Sequence, residues 1–114
     1  MERNVKRRLL PSKRPKKRYV AFEVITEQSI PISRIKQAIN DALIKGLGAE
    51  KMQQANINVF ENRFDKEKKR GIVRTTPKYL RDVVKILNNM DEASIKTLGV
   101  SGTINKAYEK YIAS

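Results

Sequence analysis

Tyr19-Val20-Ala21-Phe22-Glu23-Val24-Ile25-Thr26 decides the fold. Val20, Phe22 and Val24 alternate with Ala21, Glu23 and Ile25, the period-two pattern of a strand with one face in a core. Ser29-Ile30-Pro31 follows as a turn. Then Ile32, Ile35, Ala38, Ile39, Ala42, Leu43 and Leu47 recur at helical spacing, and Gly46 and Gly48 end that helix.

A further set of strands and helices follows, with no internal sequence repeat evident. A second strand is expected over about residues 55–64, with Ile57 and Val59 on one face and Asn58, Phe60 and Asn62 on the other. Residues 65–70 form a charged hairpin loop, and residues 71–75 a third strand. Thr76-Pro77 opens a second helix, the threonine as cap and the proline at the first helical position. Leu80, Val83, Val84 and Leu87 are its buried stripe. A fourth strand covers about residues 94–100. A last helix carries Ile104, Ala107, Tyr108 and Tyr111 on one side. Strand, helix, strand, strand, helix, strand is the split β-α-β pair of a ferredoxin-like or RRM-like α+β sandwich. It has a four-stranded antiparallel sheet, two helices on one face, and here an additional C-terminal helix.

Residues 1–18 differ from this body, residues 19–114. They hold nine cations (Arg3, Lys6, Arg7, Arg8, Lys13, Arg14, Lys16, Lys17, Arg18) and one anion, a net +8. The whole chain of 114 residues has 25 Lys and Arg against 12 Asp and Glu, a net +13. Like charges at this density repel, and Pro11 and Pro15 oppose a continuous helix. A flexible arm that orders on a polyanion is expected, the alternative being a solubilising tail.

What is absent narrows the chemistry. The chain has no Cys and no His. Disulfides, thiolate metal sites, cysteine nucleophiles and histidine-dependent triads are excluded. The carboxylates are scattered, so no protein-borne catalytic constellation is expected. The lack of Cys fits a reducing compartment. The longest unbroken apolar run, Tyr19 to Phe22, is far too short to span a bilayer. No apolar stretch follows the positive N-terminus, so no secretory signal is expected.

Three surface features remain. Val73 turns toward the helices, because burying Arg74 there would be costly, so Ile72 and Arg74 face outward. Arg70-Gly71-Ile72-Val73-Arg74 carries no ring where RRM domains stack bases, so base stacking on this face is not expected. Ile25, Phe60 and Ile72 instead leave an apolar patch for the last helix or for another protein. Lys78, Arg81 and Lys85 stripe the second helix, as phosphate contacts or an ordinary solvated face, beside the hairpin cluster Lys66, Lys68, Lys69 and Arg70. Ser101-Gly102-Thr103 joins a strand to a helix, either as an anion-binding turn or as a tight turn with a cap.

Gly71-Ile72-Val73-Arg74, the following Tyr79-Leu80 with its Val-rich helix, and Thr97-Leu98-Gly99-Val100-Ser101-Gly102-Thr103-Ile104 resemble a known family. In this order, after a basic arm, they are similar to archaeal ribonuclease P protein component two, the Pop-five-type subunits. The resemblance spans about residues 18–112. It implies a cytoplasmic subunit of the ribonucleoprotein that removes the 5′ leader of precursor tRNA. It also implies that the RNA subunit performs hydrolysis with Mg²⁺ while the protein binds no cofactor. A TIM-barrel subunit, protein component three, is the implied partner, in a heterotetramer with two copies of this chain. The expected RNA contacts are Arg14, Lys16, Lys17, Arg18, Lys69, Arg70, Arg74, Lys78 and Arg81, with Ser101, Gly102 and Thr103 as phosphate contact or interface. Six neutralised phosphates would make log K fall against log salt with a slope of roughly −4 to −5. A ribosomal or other structural RNA-binding protein is the alternative on charge and fold alone.

Overall fold

A computed structural model describes residues 16–26, 29–90 and 94–113. Strand β1 is Arg18–Val24 and is followed by helix α1, Ile32–Leu47, and a short helix α2, Ala49–Gln54. Strand β2 is Asn58–Val59, β3 is Arg70–Thr75 and helix α3 is Leu80–Asn88. Strand β4, Ile95–Ser101, leads into helix α4, Ile104–Ala107, which continues as a π-helical turn over Tyr108–Ile112. The antiparallel sheet has the order β2-β3-β1-β4, so β1 and β3 are central and each helical crossover skips a strand. This is the ferredoxin-like topology expected from the element order.

The alternation in β1 sorts the core as its side chains require. Val20, Phe22 and Val24 pack with Ile35, Ile39 and Leu43 of α1, with Val73, and with Val83 and Leu87 of α3. The opposite face is covered as well. Ile72, fully buried, packs with Ala107 and Ile112, and Tyr19, Phe60, Ile104, Tyr108 and Tyr111 surround them. Of the two occupants open to that face, the chain's own C-terminal segment is the one that covers Ile72. Phe60 is half-buried beside Tyr19, with ring centroids 6.1 Å apart, whereas Ile25 stays 49% exposed.

Three local expectations need correction. Strand β2 is two residues long rather than ten. Asn58 and Val59 pair with Arg74 and Val73, then a 3-10 turn at Glu61–Arg63 rolls the chain over. That turn lets Phe60 join the outer cluster and Phe64 the inner one, which an extended run with Phe60 and Phe64 on one face could not do. Gly71 supplies the room: a Cβ there would meet the rings of Phe22 and Phe64. Second, Gly48, at φ 89°, ends α1 as expected, but Gly46 lies inside that helix, and Ala-Glu-Lys-Met-Gln-Gln then forms α2. All six are good helix formers. Third, Thr76 does not cap α3. Residues 77–79 form a turn, the helix starts at Leu80, and the buried Thr76 Oγ1 has no hydrogen-bond partner among the described residues.

Candidate nucleic-acid interface

The sheet register decides which cations meet. Arg18 lies opposite Thr75, Tyr19 opposite both Arg74 and Ser101, and Asn58 opposite Arg74. One end of the sheet therefore gathers the start of β1, the end of β3 and the end of β4. Neighbouring strands are about 4.8 Å apart, so these three span only about 10 Å. Lys16, Lys17 and Arg18 enter there, with Lys16 and Lys17 exposed. Lys78 sits in the turn after β3 and Arg81 in the first turn of α3, both exposed. The Ser101–Thr103 turn closes the group. Arg14 lies outside the described residues.

Two cations that the sequence reading missed join this end. Lys51 is carried by α2, whose Gln54 Oε1 accepts a hydrogen bond from Tyr79 Oη at 2.5 Å, tying α2 to the start of α3. Lys106 lies in the single turn of α4, three residues after its cap Thr103. Lys51 could be found only by assigning α2. Lys106 was legible from its place three residues beyond the cap. Asp82, Glu50 and Glu109, which shares a pocket with Ser101 and Lys106, are anions near this end, and all three are exposed.

The turn itself does structural work through one residue. Thr103 Oγ1 accepts from the Lys106 backbone N–H at 3.3 Å, the geometry of a helix N-cap. Gly102 is exposed, and a Cβ there would meet open space. Arg74 is held in place too. Its Nε donates to the Asn56 carbonyl and its Nη2 to Asn56 Oδ1, each at 3.2 Å, and its guanidinium lies 6.0 Å from the Phe60 ring centre.

Lys69 and Arg70 stand at the opposite end of the sheet. β1 runs for seven residues, so the two ends are separated by about 20 Å. Lys69 Nζ donates to the Thr26 carbonyl. Arg70 Nε donates to Glu23 Oε1 at 2.8 Å, and its Nη1 to the Tyr111 carbonyl at 3.0 Å. Lys68 Nζ donates to the Ile112 carbonyl at 2.6 Å. The hairpin that carries them is set by Asp65, whose Oδ1 accepts from the Glu67 and Lys68 backbone N–H groups at 2.9 and 3.0 Å. Lys69 takes the left-handed backbone position of that turn, at φ 58°.

The expected binding residues thus divide. Lys16, Lys17, Arg18, Lys78 and Arg81 converge with Ser101, Gly102 and Thr103. Lys69 and Arg70 are elsewhere and direct hydrogen bonds into the protein, as Arg74 does at the first end. Of the apolar set Ile25, Phe60 and Ile72, only Ile25 is well exposed, next to the hairpin end. Among the described residues there is no group of three or more acidic side chains that could hold a metal ion, and no helix is long and apolar enough to cross a membrane.

Comparison with known proteins adds the lineage. Residues 18–112 match the model of the Rpp14/Pop5 family. A Pyrococcus furiosus protein named ribonuclease P protein component 2 is 36% identical over 110 residues, covering 92% of this chain and 90% of that protein. Proteins of the same name from Methanosarcina mazei and Thermococcus kodakarensis are 35% and 34% identical over 113 and 110 residues. The first alignment covers 93% of this chain and 92% of its relative, the second 92% and 90%. The ferredoxin-like body and its two signature blocks, Gly71–Arg74 and Thr97–Ile104, both fall within the matched segment, and the chain belongs to the Rpp14/Pop5 family.

Proposed function

We propose that this chain is a protein subunit of ribonuclease P, acting in tRNA processing, and that it holds RNA at the end of the sheet where the arm enters. One observation carries the reading. In a member of this family, the root of a +8 arm, the end of β3 that leads to α3 and the Ser101–Thr103 turn lie on adjacent strand ends that span about 10 Å. Strands about 4.8 Å apart bring neighbouring cations within the screening length of about 8 Å at physiological salt, where their fields add. Lys16, Lys17, Arg18, Lys78 and Arg81 are the proposed phosphate contacts, with Arg14 ahead of them in the arm. Ser101, Gly102 and Thr103 offer backbone N–H groups and hydroxyls to the same strand. Lys69, Arg70 and Arg74 add to the positive field while their directional bonds hold the fold.

The chain has no His and no Cys, and its proposed part in the reaction is to organise phosphates rather than to break a bond. Hydrolysis then belongs to the RNA subunit and its Mg²⁺. Protein cations and Mg²⁺ offset the same phosphate repulsion, so the protein lowers the Mg²⁺ demand of the RNA. The proposed partners are ribonuclease P RNA, precursor tRNA and the TIM-barrel protein component three, in a heterotetramer with two copies of this chain in the cytoplasm.

Reconstitution tests this. Added with its TIM-barrel partner to an archaeal ribonuclease P RNA, the chain is expected to restore precursor cleavage at reduced Mg²⁺, and to cleave nothing without RNA. Unchanged Mg²⁺ demand on addition of the chain overturns the proposal. Turnover by the RNA-free protein overturns the non-catalytic part of it.

A further inference from the structure

The opposite end of the sheet contains a cavity of about 230 Å³ between the end of β1, the start of α1 and the hairpin. Val24 and Ile35, both almost fully buried, form its floor with Phe64 beside them. Thr26 and Ser29 line it as well, together with Lys66 and Lys69. Among the described residues, none of the side chains lining it is acidic. Lys69 is anchored on the Thr26 carbonyl, whereas Lys66 is exposed and makes no hydrogen bond or ion pair among the described residues.

Each property narrows the ligand. An apolar floor with an aromatic ring accepts a flat, weakly polar body. Hydroxyls both donate and accept, whereas the two lysine ammonium groups only donate. Lys66 and Lys69 therefore favour a ligand that is rich in acceptors and negatively charged. At about 230 Å³ the cavity is smaller than the roughly 300–1,000 Å³ of sites for drug-sized molecules, so it holds one small unit. RNA offers such a unit wherever a base leaves its stack. An acidic protein segment would match the lysines, but its carboxylates leave the aromatic floor unused.

We infer that this cavity takes one unstacked nucleotide of the bound RNA, its base against Phe64, Val24 and Ile35 and its phosphate at Lys66. The inference rests on the RNA-binding reading above and extends it to a second contact about 20 Å from the first. A stretch of RNA several nucleotides long would have to run between the two.

Photocrosslinking of the full chain tests it. Archaeal ribonuclease P RNA transcripts carrying 4-thiouridine or 6-thioguanosine are irradiated with the protein, and the modified peptides are mapped. Crosslinks are expected within residues 29–35 or at Phe64, and separately at the arm end. K66E, which reverses an exposed charge, and Ser29→Phe, which fills the mouth, are each expected to reduce the cavity crosslinks at least fivefold. The arm-end crosslinks should be unchanged. Crosslinks confined to the arm end, or cavity crosslinks indifferent to both variants, overturn the inference while leaving the RNA-binding reading standing. Loss of the cavity crosslinks when the TIM-barrel partner is added overturns it in favour of a protein ligand. No crosslink anywhere on the wild-type chain overturns both.

Discussion

Arg70 and Glu23 face each other across the central strands β3 and β1, with Arg70 Nε donating to Glu23 Oε1 at 2.8 Å. The same guanidinium donates to the Tyr111 carbonyl, so one side chain joins the sheet to the C-terminal segment. Lys68 does likewise at Ile112. The last carbonyls of a helical segment lack partners within it, and cations at that end satisfy them. Both members of the ion pair are about one-third exposed or less, at 32% and 27%. Arg70→Ala is expected to cost about 1–2 kcal/mol in urea unfolding, between the values for exposed pairs and for charged hydrogen bonds. A cycle with Glu23→Ala should give a coupling of about 0.5–1 kcal/mol. Zero coupling would show that the pair contributes nothing.

Lys78, in the turn after β3, and Arg81, in the first turn of α3, are exposed cations of the arm end. The double variant K78A/R81A should weaken RNA binding and flatten the plot of log K against log salt. Two lost phosphate contacts reduce the slope by roughly 1.4–1.8. Fluorescence anisotropy across a salt series measures it. An unchanged slope would place the contacts elsewhere.

Gly99 sits beneath Tyr111. A Cβ at Gly99 would overlap the Tyr111 ring, beside the bulge where the pairing of β1 and β4 shifts. Gly99→Ala should destabilise the chain by about 1–3 kcal/mol, the cost of overpacking. Adding Tyr111→Ala should remove most of that increment, so the two changes are not additive. Full additivity in thermal unfolding would mean that the two residues do not press on each other.

Ile72 distinguishes a face covered from within from one covered by a partner. It is fully buried under Ala107 and Ile112 in the single chain. Ile72→Ala should therefore cost about 2–5 kcal/mol in the isolated protein, the range for large-to-small changes in a core. A loss below about 0.5 kcal/mol, ordinary for an exposed site, would mean that this face is open in solution.

Much of this protein was legible before any coordinates. The period-two run in β1, the helical repeat from Ile32 to Leu47 and the stripe from Leu80 to Leu87 each identify an element and its buried side. Thr103 reads as a cap and behaves as one. Thr76 reads the same way and does not, because cap chemistry is only local, and the turn at residues 77–79 delays the helix. The long second strand fails for a related reason. Its alternation could not register that Phe60 and Phe64 belong to opposite faces.

The chain's order of apolar and polar residues, with its net charge, settles the α+β class, the inner core and the affinity for polyanions, because periodicity and charge are properties of neighbours along the chain. Only the folded sheet decides that Lys16, Lys17, Arg18, Lys78 and the Ser101–Thr103 turn meet at one end while Lys69 and Arg70 stand at the other. In the sequence Arg70 is eight residues from Lys78, and Ser101 is 82 residues from Tyr19, yet Ser101 and Tyr19 are paired. Antiparallel register brings distant residues together and sends near ones to opposite ends, so position along the chain carries no measure of which charges act as one.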